Sequence, residues 1–211
     1  MGNIKAEKCH RCQAFPASEM TGVYCKACFC DILEKRMRKE LKGRINKGSR
    51  VLVMDKAAAK IIRSLLNYPF SIDILKSRKL SPCNLPALIS HPDFIKLIRD
   101  KNHDVAVLPW TADLEAAVFL EQSFFNKKSP NSIKILKLFR QITEKELKSY
   151  CTIRGLNTWT SQMPASIGFI RLLDREHPEI VHGLVRSSEE VENISSQAHA
   201  KKTQKRKPGK N

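Results

Sequence analysis

No stretch of the sequence has the length and apolar continuity of a membrane helix. The longest charge-free run, Gly155 to Ile170, is interrupted by Asn157, Thr158, Thr160, Ser161, Gln162 and Pro164, which removes a helical membrane span from consideration. The N-terminus lacks the apolar segment and small-residue cleavage site of a secretory signal, so the expectation is a cytoplasmic protein with no membrane partner. No internal repeat is found. Acidic residues are scarce: the 211-residue chain carries 21 Asp and Glu against 38 Lys and Arg, a formal charge of +17. Such an excess calls for an anionic partner, most often nucleic acid.

The rest of the composition is that of an ordinary folded chain. At 42% hydrophobic and 28% charged it suits one globular domain with a small appendage. The surplus of positive charge is uneven. The first fifty residues hold twelve cations against five acids, and Lys201, Lys202, Lys205, Arg206, Lys207 and Lys210 crowd the last eleven residues without an acid. From about residue 192 onward the chain offers little apolar surface to offset the entropy of ordering, so residues 192–211 are expected to form a basic disordered tail, solubilising, targeting or RNA-directed.

The middle of the chain alternates in period. Val51 to Met54 is a short apolar run followed by helical spacing through Ile61, Ile62, Leu65 and Leu66. Phe70 to Ile74 alternates like a strand. Leu85 to Ile98 is mostly helical, entered at Pro86 and interrupted at His91-Pro92. Val105 to Leu108 and Ile133 to Phe139 are strand candidates, with a helix from Leu114 to Phe125 between them. Thr143 to Glu146 is a capping box that opens a helix toward Tyr150. Short apolar strands alternating with helices predict an α/β fold, a parallel sheet covered on both faces over residues 49–191.

In front of that domain sits a cysteine-rich head, residues 1–30. Cys9-His10-Arg11-Cys12 and Cys25-Lys26-Ala27-Cys28 are two C-x2-C knuckles twelve residues apart. A two-residue spacer lets both thiolates of a knuckle face one ion, so Cys9, Cys12, Cys25 and Cys28 are the expected ligands of a tetrahedral zinc. Seven cysteines in a reducing compartment read as metal ligands or spare thiols sooner than disulfides. Cys30 projects elsewhere on a helix, and four cysteines make His10 unnecessary. The second knuckle runs into a basic amphipathic helix and connector over residues 31–48. Its stripe of Phe29, Ile32, Leu33, Met37 and Leu41 opposes Lys35, Arg38, Lys39 and Lys42, which form either an RNA-phosphate surface or a solvated helix exterior.

Lys8-Cys9, Tyr24 to Phe29, Arg36-Met37-Arg38 and Arg50 to Val53 resemble the N-terminus of the cytoplasmic tRNA 2-thiolation protein 2 family. Asp104 to Val107 through Thr111-Ala112-Asp113 and on to Phe119, Leu138-Phe139-Arg140 with Thr143 to Tyr150, His177 to Val181, and Arg186 to Glu189 resemble later segments of that family in the same order. The resemblance implies a PP-loop ATPase-like fold and a heterodimer with the catalytic thiolation protein 1. It implies a role in replacing the 2-oxygen of the wobble uridine by sulfur in the tRNAs for Lys, Glu and Gln. Sulfur would arrive as a thiocarboxylate on a ubiquitin-related modifier, with ATP adenylating the uracil oxygen.

The sequence departs from an active member of that fold. After the strand Val51 to Met54, PP-loop enzymes carry Ser-Gly-Gly-x-x-Ser, whose amides cradle phosphate. Here Asp55, Lys56, Ala57, Ala58, Ala59 and Lys60 stand instead. Alanine does not readily take the conformations glycine allows, and Asp55 caps a helix but repels phosphate. Outside the head Cys83 and Cys151 stand alone, with no second thiol to carry sulfur. Asp113 has no phosphate loop to serve, and Arg140 either binds an anion or pairs with a carboxylate. The expectation is a noncatalytic subunit with a degenerate nucleotide loop. The alternatives are a free-standing zinc-ribbon nucleic-acid-binding protein and an active ATP-dependent tRNA sulfurtransferase. A RING-type ligase needs eight ligands where this head offers four.

Overall fold

The computed structural model describes residues 8–18, 21–75, 85–89, 91–125, 135–157, 167–177 and 179–205. The first helix, α1 (Lys26–Leu41), leads into β1 (Arg50–Val53), α2 (Lys56–Leu65) and β2 (Ser71–Ile74). There follow α3 (Leu85–Ile89), α4 (Pro92–Asp100), β3 (Val105–Thr111), α5 (Ala112–Phe125), β4 (Ile135–Phe139), α6 (Glu144–Arg154), α7 (Ile167–Glu176) and α8 (Ile180–Lys205). The four strands form one sheet in the order β2-β1-β3-β4, with every neighbouring pair parallel. Each crossover therefore needs a connecting helical layer, which the alternating sequence pattern anticipated.

Alternation along β1 decides which helices cover which face. Val51 and Val53 point into a core shared with α1, α2 and α6, where Met37, Ile62, Leu138 and Tyr150 are buried. Leu52 and Met54 point to the other face, among Phe94, Leu108 and Trp110. A third cluster joins α5 to α7 and α8 through Ala116, Ala117, Ile170, Val181 and Val185. Burying each of these large aliphatic side chains is worth roughly 1.5–3 kcal/mol relative to exposure. Alanines on the buried side of α5 allow α8 to approach closely.

Several elements end where their local chemistry ends them. Pro92 sits at the first position of α4 and the His91 ring accepts the Asp93 amide at 3.3 Å, so the pattern from Leu85 to Ile98 splits into two helices. The capping box on α6 is complete, with Thr143 and Glu146 each accepting the other's backbone amide, and Gly155 closes the helix in the left-handed conformation at φ 60°. β3 runs on to Thr111, past the expected end at Leu108, through the buried Pro109 and Trp110, and its register with β4 shifts between Leu108 and Thr111. β4 is described from Ile135; residues 133 and 134 lie outside the described residues.

The head and the tail differ from their outlines in the sequence. The expected boundary at residue 30 falls inside α1, whose Phe29, Leu33, Met37 and Leu41 belong to the main core. α8 runs across the expected start of the tail at residue 192 and is described to Lys205. Glu192 at that boundary is ion-paired to Lys137 and Arg140, which supplies polar anchoring where apolar surface runs out. Residues 206–211 lie outside the described residues. Among the described residues no helix is long and apolar enough to cross a membrane.

Candidate metal centre and nucleotide loop

The two knuckles converge. A short backbone frame holds the first, with the Cys9 amide donating to Phe15 O at 2.8 Å and the Gln13 amide to Cys9 O at 3.0 Å. Gln13 takes φ 56° to close this turn, and Gly22 takes φ 65° before the second knuckle. The His10 amide donates to Val23 O at 2.9 Å and ties one knuckle to the other. Cys25 is the N-cap of α1, its sulfur accepting the Cys28 amide at 3.5 Å.

The sulfurs of Cys9, Cys12, Cys25 and Cys28 all lie within 4.8 Å of one another, and those of Cys12 and Cys25 are 3.8 Å apart. This set could hold a metal ion. Cys9 and Cys25 are buried while Cys12 is exposed. As free thiols Cys9 and Cys28 are driven in opposite directions. Burial pushes Cys9 up, but the surrounding backbone amides outweigh it and bring the thiol down to about 6. Burial and the neighbouring sulfurs push Cys28 up to about 12. A divalent cation relieves that conflict, because it replaces protons that the crowded sulfurs otherwise share. Arg11 pairs with Asp31 at 2.5 Å and reaches Cys28 O at 3.4 Å, fixing the first knuckle to α1. Cys30 is buried in the main core, away from the four, and His10 is not part of the cluster.

The basic face expected on α1 is a real surface. Lys35, Arg38, Lys39 and Lys42 are all exposed and fall within about a third of the helix circumference at 100° per residue. They are not equivalent. Lys35 is paired with Asp31 at 3.2 Å and Arg38 with Glu34 at 3.3 Å. Lys39 and Lys42 make no ion pair among the described residues.

The turn after β1 is a capped helix start. Asp55 is extended, and its Oδ1 accepts the Ala58 amide at 2.9 Å. Ala58 and Ala59 are buried against the core. Burial raises the Asp55 carboxyl, and its Oδ2 has no hydrogen-bond partner. Asp113 performs the same service at a second helix, accepting the Glu144 amide at 2.5 Å at the start of α6. Arg140, left by the sequence between an anion and a carboxylate, takes carboxylates: Glu115 at 2.5 Å and Glu192 at 2.9 Å, with Ser188 Oγ at 3.1 Å. Cys151 is buried, pushed up to about 11 first by that burial and then by the Asp55 charge. Cys83 lies outside the described residues.

Sequence reasoning missed the network around Glu115. This carboxylate is 2% exposed and is met by Lys137 at 2.7 Å, Arg140 and Ser188. Its partners lie 22 to 73 residues away, so no local pattern signals it.

No protein-family model matches the chain, and no curated protein matches it. Among solved structures it is similar to the U34-tRNA thiolase NcsA from Methanococcus maripaludis with its [4Fe-4S] cluster, at 15% identity and a TM-score of 0.58. The similarity covers 89% of this chain and 88% of that one. At that identity the likeness shows the fold alone, an α/β architecture around a four-stranded parallel sheet, and in this chain a cysteine cluster precedes it.

Proposed function

We propose that this chain is a noncatalytic, tRNA-binding subunit of a wobble-uridine 2-thiolation assembly. The likeness in fold to a tRNA thiolase supports the reaction class. The observation that carries the noncatalytic assignment is Asp55. Its carboxylate takes the amide that a PP-loop would offer to phosphate, and places a negative charge where phosphate would sit. The other acidic residue near the nucleotide end of the sheet, Asp113, is occupied as a helix cap. Outside the head Cys151 is the one cysteine among the described residues, and it is buried.

On this reading the four cysteines hold zinc, which ties the first knuckle to the start of α1, while Phe29, Leu33 and Met37 hold that helix and its cations against the core. Zinc–thiolate bonds of about 2.3 Å put tetrahedral sulfurs about 3.8 Å apart, and the Cys12–Cys25 separation is 3.8 Å. An iron–sulfur cluster, as in the thiolase neighbour, is the second reading. It asks for sulfurs set wider, since each thiolate then binds a different iron. The partners are the tRNA, a catalytic thiolation protein 1 in a heterodimer, and a ubiquitin-related modifier as sulfur donor. The subunit contributes by holding tRNA at the partner's site and lowering the entropic cost of reaction.

Reconstitution tests this. The catalytic subunit, tRNA, ATP and a sulfur donor are expected to give thiolated tRNA only when this chain is added. Full thiolation without it removes the proposed role. Activity that survives destruction of the partner's Ser-Gly-Gly loop places the chemistry in this chain and overturns the noncatalytic assignment.

A further inference from the structure

The loop leaving α1 is as cationic as the helix. Lys42, Arg44, Lys47 and Arg50 fall within nine residues, and Gly43 at φ 73° and Gly48 at φ 83° turn the loop back toward β1. It meets the segment that leaves α2: Tyr68 donates its hydroxyl to Ile45 O at 2.7 Å, and the Gly48 amide donates to Pro69 O at 2.9 Å. Between them lies an open groove of about 490 Å³. Ile45, Leu65, Leu66 and the Tyr68 ring give it an apolar floor, and Arg38, Lys42 and Lys47 a cationic rim, with the Asn46 amide beside them. Among the described residues no carboxylate lines it. Lys42 and Lys47 are exposed and make no ion pair among the described residues.

We propose that this groove binds a single unpaired nucleotide of the RNA, with its base on the apolar floor against Tyr68 and its flanking phosphates on Lys42 and Lys47. The inference rests on the RNA-binding reading above and adds a site to it. An apolar floor bearing an aromatic ring, under a cationic rim, selects a ligand with a stacking face and anionic charge at its edges. A nucleotide within a strand has that chemistry, and every base offers a face to stack. Arg38 and Lys42 belong both to the groove and to the exposed face of α1, so a backbone tracking along the helix reaches the groove directly. The Tyr68 ring is already immobilised by its hydroxyl bond and by the edge of Phe70, 6.2 Å away at 63°. Little side-chain freedom is therefore lost on stacking. Asn46 is exposed at the mouth and has both donors and an acceptor for a base edge.

The test compares binding of bulk tRNA with binding of a blunt, fully paired RNA duplex, using the full metal-loaded chain. A double variant, Asn46→Ala with Lys47→Ala, changes only exposed side chains. It is expected to weaken tRNA by about five- to tenfold and to leave the duplex within about twofold, because a paired base does not enter the groove. Tyr68→Ala is expected to follow it, while Tyr68→Trp, which keeps a stacking face, retains tRNA affinity. Lys39→Glu, on α1 outside the groove, is expected to weaken both RNAs. If Lys39→Glu weakens both while the groove variants change neither, or change both equally, the groove assignment is overturned and the RNA-binding reading stands. If Lys39→Glu also leaves both RNAs unaffected, the RNA-binding reading itself fails.

Discussion

The carboxylate of Asp55 accepts the amide of Ala58 at 2.9 Å, so α2 begins on an anion supplied by the chain itself. A phosphate at this helix start would have to displace that bond and sit against the same charge. The chain alone is expected to show no heat of ATP binding by calorimetry, with or without magnesium. Asp55→Ala is expected to lower stability by about 1 kcal/mol through loss of the cap, and Asp55→Ser to retain most of it. Micromolar ATP binding by the unaltered chain would refute the assignment.

The cysteine cluster is expected to hold one metal ion per chain. Elemental analysis of native protein should find zinc, without the visible colour of an iron–sulfur centre. Chelation removes the ion, and Cys25→Ala removes both a ligand and the N-cap of α1. The first turn of that helix should then fray while the sheet stays folded, because Phe29, Leu33 and Met37 still anchor the rest of α1 in the core. Amide exchange should therefore accelerate at residues 26–29 and not in β1 or β3.

Among the four cations of α1 the unpaired ones should matter most to RNA. Lys39→Glu with Lys42→Glu is expected to weaken tRNA more than the same change at Lys35 and Arg38, which are already neutralised in part by Asp31 and Glu34. Every phosphate that a variant no longer neutralises should flatten the log–log dependence of affinity on salt by about one unit. Filter binding across a salt series measures both, and equal slopes for all variants would show the face to be only solvated.

The Glu115–Arg140 pair should dominate acid stability. Burial opposes ionisation of Glu115, but Lys137 and Arg140 outweigh it and hold the carboxyl below the usual glutamate range. A depressed carboxyl contributes stability that is fully present above its unfolded pKa, about 4.3, and is lost as pH falls through the folded value. Glu115→Gln should flatten that acid limb. At neutral pH it leaves Arg140 buried with, among the described residues, only the half-exposed Glu192 as an ion-paired carboxylate, a loss of about 3–5 kcal/mol in urea unfolding. Arg140→Met with Glu115→Leu should recover much of it, since an apolar pair leaves no buried charge.

By itself the sequence determined whatever is written in short-range spacing. Two C-x2-C knuckles place the four sulfurs, because two intervening residues fix where a pair of thiolates points. The period change between Val51–Met54 and Ile61–Leu66 marks a strand and a helix, and Thr143 with Glu146 marks the start of α6, each through interactions within four residues. The missing glycines at 56–60 are legible for the same reason. Only the tertiary structure decided the partners of Arg140, since Glu115 and Glu192 reach it from helices 25 and 52 positions away in the chain. It decided that α1 is part of the main core, although as an isolated pattern it looked like a connector. It decided that α8 is held at residue 192 by the ion pairs of Glu192 with Lys137 and Arg140. The groove beside Tyr68 belongs to the same class, because a cavity is made by chain segments that meet, and no local periodicity records which segments those will be.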